Sequence, residues 1–248
     1  IMRNYGFGPD TGARTAKIVS GSNSWPLEIT TWSDGEIVAA IPRGARSGQL
    51  VITRGDNGQS TVDAITITVS TTPPLEVGPT KPYQTIQAAI DDAPAGALIT
   101  VGPGNYSELP IMYKPIQLQG WGPGVTFINA VKSPAEKIQG WRAKINELLD
   151  ANQFSLLPGQ AAPVPPIDPA NNEPGLFGSD EGAGVTVVAP SGGVNRFSLF
   201  TGAGSRARPR IDGFSITGSD IGGGIFVNGY ATNLEISNNR IYANQGTY

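Results

Sequence analysis

Apolar and polar residues alternate with period two through the first third of the chain. Ile37, Ala39 and Ile41 fall on one side of an extended segment, and Ile65, Ile67 and Val69 alternate with Thr66, Thr68 and Ser70. Successive strand side chains point to opposite faces, so this pattern predicts strands with one buried and one wetted face. Leu50-Val51-Ile52-Thr53 is a further short strand, and Gly55-Asp56-Asn57-Gly58 supplies residues that accept left-handed turn geometry. Short antiparallel strands with polar outer faces predict a small β-sandwich over residues 1–72.

The pattern changes at Thr71-Thr72-Pro73-Pro74-Leu75, where consecutive prolines make residues 73–80 a stiff linker. Ile86, Ala89 and Ile90 lie at i, i+3 and i+4, the stripe of a short helix that Pro94 and Gly96 end. From Leu98 onward, residues 81–248 read as brief strands separated by turns: Leu98-Ile99-Thr100-Val101, Pro115-Ile116-Gln117-Leu118-Gln119-Gly120, Gly124-Val125-Thr126-Phe127-Ile128. Phe214-Ser215-Ile216-Thr217-Gly218 matches Leu234-Glu235-Ile236-Ser237-Asn238, and Ile221 matches Ile241, each at a spacing of 20 residues. Such a period predicts a solenoid whose repeating unit cannot bury its apolar side alone.

Residues 132–183 interrupt that rhythm. Gly122-Pro123-Gly124-Val125-Thr126-Phe127 and Gly182-Ala183-Gly184-Val185-Thr186-Val187 are near copies on either side, so two successive strands flank an insertion. Ser133-Pro134-Ala135-Glu136 has the cap, the first-turn proline and the acidic residue of a helix start. Ile138, Trp141, Ile145, Leu148 and Leu149 then form an apolar stripe, which predicts a helix over 134–151 lying against the solenoid with Trp141 buried.

Composition agrees with an all-β chain. Its 33 glycines and 21 prolines suit tight turns and would disrupt helices, where they cost about 1 and about 3 kcal/mol respectively. Charged residues are only 15%, below the usual quarter, which fits an extracellular or cell-surface protein. A net charge of −3 argues against the basic surface of a nucleic-acid binder, so no nucleic-acid partner is expected. No apolar run is long enough to predict a membrane span. The chain has neither Cys nor His, which excludes thiolate and histidine zinc sites and the Ser-His-Asp and Cys-His arrangements within it. No cofactor is identified. Calcium has no motif behind it, because Asp56-Asn57-Gly58-Gln59-Ser60 lacks the ligand spacing and the terminal Glu of a calcium loop.

Two stretches resemble known families. Tyr5-Gly6-Phe7-Gly8, Ile29-Thr30-Thr31-Trp32-Ser33-Asp34, Ile37 to Pro42 and Gly48 to Thr53 resemble the IPT/TIG immunoglobulin-like modules over residues 3–70. Members of that family carry a strand ahead of the Gly-Phe-Gly segment, so the resemblance implies an edge element supplied by the rest of the protein. In the same family position Trp32 is expected to pack rather than to serve sugars. Tyr83-Gln84-Thr85-Ile86-Gln87-Ala88-Ala89-Ile90 resembles the entry of pectin lyase-like right-handed parallel β-helices, where this helix covers the end of the stack. The resemblance implies turn asparagines such as Asn238 and Asn239 that bond along the stack, and further C-terminal coils are expected because the stack would otherwise end on an unpaired edge.

Chemistry is less legible. Arg206, Arg208 and Arg210, with Arg196 nearby, share one face of an extended segment, and guanidinium forks suit carboxylate or sulfate groups. An anionic polysaccharide is one reading of this row; a solvated edge, or pairing with the acidic Asp180-Glu181 loop, is the other. Asp212, Asp220 and Glu235 are the carboxylates of the late coils, but they match no catalytic pattern of the resembling enzymes. The expectation is an extended scaffold or glycan-binding surface. The alternative is a lyase or glycoside hydrolase whose active site lies mainly beyond residue 248.

Overall fold

The computed structural model describes residues 6–61, 65–163, 182–189, 208–220 and 222–245. Strands dominate, with two helices among the described residues, and the chain divides between Thr72 and Pro73 into two compact units.

The first unit holds β1 (Thr15–Ser20), β2 (Asn23–Pro26), β3 (Glu28–Trp32), β4 (Ile37–Ala40), β5 (Gly48–Thr53) and β6 (Thr66–Ile67). A four-stranded antiparallel sheet runs in the order β2-β1-β5-β6, and β3 and β4 form a separate hairpin with an irregularity between Ile29 and Thr31. Ala16, Ile18 and Trp32 are its buried apolar residues. Trp32 donates from Nε1 to the Gly8 carbonyl at 3.1 Å and meets the Phe7 ring edge-on at 6.2 Å. The glycines of that segment are set by close approach. Gly8 has φ +77°, and a Cβ there would lie 2.8 Å from the Arg54 guanidinium.

Arg54 also clasps the Asp56 carboxylate at 3.0 and 2.7 Å, while Gly58 N–H donates to the Arg54 carbonyl. The 55–58 segment is thus a closed turn. One expectation is corrected: Ile41, Ile65 and Val69 are exposed, and Thr66 is buried. The regular part of this strand is only two residues long, and Thr66 Oγ1 turns toward β5 to accept from Gln49 Nε2 at 3.1 Å.

The second unit begins with β7 (Leu75–Val77) and α1 (Ile86–Asp92). It continues through β8 (Leu98–Val101), β9 (Gly104–Tyr106), β10 (Ile111–Met112), β11 (Gln117–Gly120) and β12 (Thr126–Asn129). After α2 (Ala135–Asp150) come β13 (Val185–Val188), β14 (Arg210–Asp212), β15 (Ser215–Thr217), β16 (Ile225–Asn228), β17 (Glu235–Ser237) and β18 (Arg240–Ile241). Three sheets result, ordered β7-β8-β11-β14-β17, β9-β12-β15-β18 and β10-β13-β16, and every pairing in them is parallel. The chain visits the sheets in rotation, so β8-β9-β10, β11-β12-β13, β14-β15-β16 and β17-β18 are successive circuits.

Aliphatic ladders cross the circuits. Ile99, Leu118 and Ile211 are register neighbours and fully buried, as are Ile128 and Ile216 in the second sheet. Their counterparts in the last circuit, Ile236 and Ile241, are 46% and 47% exposed, so the apolar interior is open on that side among the described residues.

The register also corrects the repeat. Ile211 pairs with Ile236 and Ile216 with Ile241, and hydrogen bonds between those circuits span 25 residues rather than 20. Consecutive strands of one circuit carry their inward Ile five residues apart, at 211 and 216 and again at 236 and 241. The 20-residue match therefore aligned β15 with β17, one strand out of step. Ile221 lies outside the described residues.

The other side of the stack is closed. Tyr83 extends the β7 edge through its own backbone, donating to the Glu76 carbonyl and accepting from Gly78 N–H. Ile86, Ala89 and Ile90 of α1 are buried, and Thr85 caps the helix by accepting from Ala88 N–H at 3.3 Å. Glu108 accepts from the Ile86 and Gln87 N–H groups at 3.0 and 3.2 Å. Burial raises the pKa of that carboxyl, against the opposing pull of the two N–H groups and Lys137. Gln87 stands in for a missing strand: its Oε1 accepts from Ile111 N–H at 2.7 Å and its Nε2 donates to the Ile111 carbonyl at 3.4 Å. The outer edge of β10 is thereby paired, which blunts edge-to-edge association.

The insertion helix α2 buries Trp141, Ile145 and Leu148. Trp141 Nε1 donates to Thr186 Oγ1 on β13 at 3.3 Å, which places the helix on the outer side of the β10-β13-β16 sheet. Its N-cap is Pro134 rather than Ser133, with no side-chain cap bond, because extended geometry persists to Pro134 (φ −73°, ψ 166°). Beyond the helix, Gln160 Nε2 donates to Asn228 Oδ1 on β16 at 2.6 Å.

Candidate functional site

The outer face of the five-stranded sheet carries a row of polar side chains. Side chains alternate across a strand, so residues flanking the inward ladder Leu75-Ile99-Leu118-Ile211-Ile236 point away from the core. Two outward ladders follow from the same register. One is Leu98-Gln117-Arg210-Glu235, and the other is Glu76-Thr100-Gln119-Asp212-Ser237.

At the centre of this face lies an ion pair. Arg210 Nε sits 3.3 Å from Asp212 Oδ2, with side chains only 7% and 1% exposed. Arg210 Nη2 donates to Gln119 Oε1 at 2.6 Å, and Asn238 Nδ2 donates to Asp212 Oδ1 at 2.8 Å. Burial lowers the Arg210 pKa, while Asp212 and then Glu235 pull it back up. A guanidinium stays charged under any ordinary condition, so the shift records competing forces rather than a titration.

The three arginines expected to share one face are described only in part. Arg208 is exposed and Arg210 is buried against Asp212, whereas Arg206 and Arg196 lie outside the described residues. The short strand explains Arg210: β14 starts there, and the residue enters the sheet between Gln117 and Glu235. Asp220 is elsewhere, paired with Lys132 at 2.9 Å. Glu235 borders Arg210 across the strands. Among the described residues no three carboxylates converge as a metal-holding group.

The turn asparagines bond between circuits. Asn239 Oδ1 accepts from Phe214 N–H and its Nδ2 donates to the Ile211 carbonyl, at 2.9 and 2.8 Å. Asn244 repeats the arrangement at the next corner with Ser219 N–H and the Ile216 carbonyl, at 3.0 and 2.9 Å. These amides carry the hydrogen bonding around corners where strand pairing stops.

Sequence reasoning missed Gln117, Gln119 and Trp121. Their signal was present: Ile116 and Leu118 are inward, so positions 117 and 119 are outward on β11, and Trp121 follows at the corner after the strand. Trp121 is 58% exposed there, among the most exposed large apolar side chains described. Its backbone is fixed, since Trp121 N–H donates at 3.0 Å to Thr126 Oγ1, which is buried. The corner around it is built from glycine. Gly213 of the next circuit has φ +79°, and a Cβ there would come within 2.8 Å of the Gly120 carbonyl. Comparison with protein-family models, curated proteins and solved structures finds no match to this chain.

Proposed function

We propose that this chain belongs to a secreted or cell-surface multidomain protein that acts as an extended scaffold with a glycan-binding face. On this reading the first unit is an IPT/TIG-like immunoglobulin sandwich with an edge element from elsewhere in the protein. The second is a right-handed parallel β-helix of the pectin lyase-like kind. Parallel pairing in three sheets visited in rotation supports the second assignment, and right-handed crossovers are the rule for parallel strands. The open ladder at Ile236 and Ile241 supports further coils stacking on the last circuit.

One observation carries the functional reading: a single sheet face bears partly exposed Glu76, Thr100, Gln119, Glu235 and Ser237 around buried Gln117, Arg210 and Asp212, in register over five strands. A long face of hydrogen-bonding groups at strand spacing suits a polymer rich in hydroxyls. Binding is favoured over hydrolysis because glycosidic cleavage needs two carboxylates open to one sugar, and Asp212 is buried beneath its own ion pair.

The test is titration of the full chain with soluble polysaccharides, namely polygalacturonate, a sulfated glycan, a neutral glucan and a galactomannan, at two salt concentrations. Saturable binding to at least one of them is expected. Absence of binding to the whole panel would overturn the glycan reading.

A further inference from the structure

We infer that Trp121 is a stacking platform for a neutral sugar unit at the rim of the polar sheet face, an inference that rests on the glycan reading above. The placement comes first. Trp121 follows β11 directly, at the corner where the outward column of Gln117 and Gln119 ends, and at 58% exposure its indole meets solvent. It is the exposed large aromatic at that rim, and its main chain is anchored by buried Thr126. Thr126 Oγ1 reaches on to the Val101 and Gly102 carbonyls of the preceding circuit at 3.4 Å each, so the platform is tied to two circuits. A fixed backbone lowers the ordering cost of binding.

The chemistry of the ligand follows from what an indole and this face each offer. An aromatic face attracts the C–H-rich side of a pyranose ring, while the ring's hydroxyls remain directed outward to polar neighbours. Partly exposed Gln119, two residues before Trp121, is such a neighbour, about 7 Å along the chain at strand rise.

The described charges favour a neutral guest over the one expected from the arginines. The outward ladders hold Glu76, Asp212 and Glu235, and the cations beside them are already paired, Lys81 with Glu76 and Arg210 with Asp212. Exposed Arg208 is the remaining described cation of the arginine segment. Carboxylates on a glycan would meet carboxylates on the protein. A polymer of uncharged hexoses meets no such repulsion, and its binding depends little on salt.

The experiment compares the full chain with Trp121→Ala and Trp121→Phe against the neutral glucan, the galactomannan and polygalacturonate at low and high salt. Thermal melts accompany the titrations to show that the exposed substitutions leave the fold intact. The expected result is binding to a neutral polymer that salt barely alters. Trp121→Ala should weaken it roughly tenfold, and Trp121→Phe should keep most of it. Equal affinity of wild type and Trp121→Ala for a polymer that binds would overturn the platform and leave the glycan reading standing. Binding confined to polygalacturonate and abolished by salt would do the same. No binding by the wild type would overturn both.

Discussion

Replacing Trp141 with alanine is expected to destabilise the second unit by about 3–5 kcal/mol, in the range of aromatic-to-alanine changes in cores. The indole is 5% exposed and sits between α2 and the outer side of the β10-β13-β16 sheet. A cavity there cannot collapse easily, because neighbouring Gly182 has φ +71° and is already packed close to both Trp141 and Leu109. The substitution also removes the donor to Thr186 Oγ1, whose residue is fully buried. Trp141→Phe separates the two contributions. It retains much of the ring, loses the N–H, and should cost about 1–2 kcal/mol, the range for one hydrogen bond plus partial loss of volume. Urea unfolding followed by far-ultraviolet circular dichroism reads both variants. A loss below about 0.5 kcal/mol for Trp141→Ala would show that α2 does not hold the sheet.

The second large effect is expected at Asp212. Its replacement by alanine leaves the Arg210 guanidinium buried beside Gln119 without its paired carboxylate, and breaking a buried pair on one side costs about 3–5 kcal/mol. Asn238 loses its acceptor as well. The double variant Arg210→Met with Asp212→Leu should be less damaging than Asp212→Ala alone, since it removes both charges and restores apolar volume. The same unfolding measurement decides the matter. A double variant as unstable as the single one would mean that shape at this point outweighs charge.

The apolar stripe of Ile138, Trp141, Ile145 and Leu148 announces α2 because helix periodicity and burial coincide there. The short helix at Ile86, Ala89 and Ile90 is legible for the same reason. Strand register is harder. In this chain one circuit contributes two inward isoleucines five residues apart, so self-similarity appears at 20 residues although the strands pair at 25. Local pattern gives the spacing of similar strands and not which strand lies beside which. At β6 the alternation misleads outright, because pairing of Thr66 with Gln49 buries the polar residue and leaves Ile65 exposed.

The candidate site was half visible. Arg208 and Arg210 share a strand parity, but parity says nothing about what covers a face. Arg210 is buried and paired with Asp212, two residues on, with Glu235 beside it one circuit on. Gln117 and Gln119 stand out only when the register sets them beside Arg210 and Asp212. Trp121 could be read as a corner residue only once β11 was known to end just before it.

All of these assignments depend on the pairing of the late strands. Backbone contacts between residues of neighbouring circuits test it directly, by nuclear Overhauser effects in the deuterated full chain. The register described here predicts cross-strand contacts of Ile211 with Ile236 and of Ile216 with Ile241. Contacts of Ile216 with Ile236 instead would restore the 20-residue pairing, displace Glu235 from Arg210 and contradict the account of the polar face.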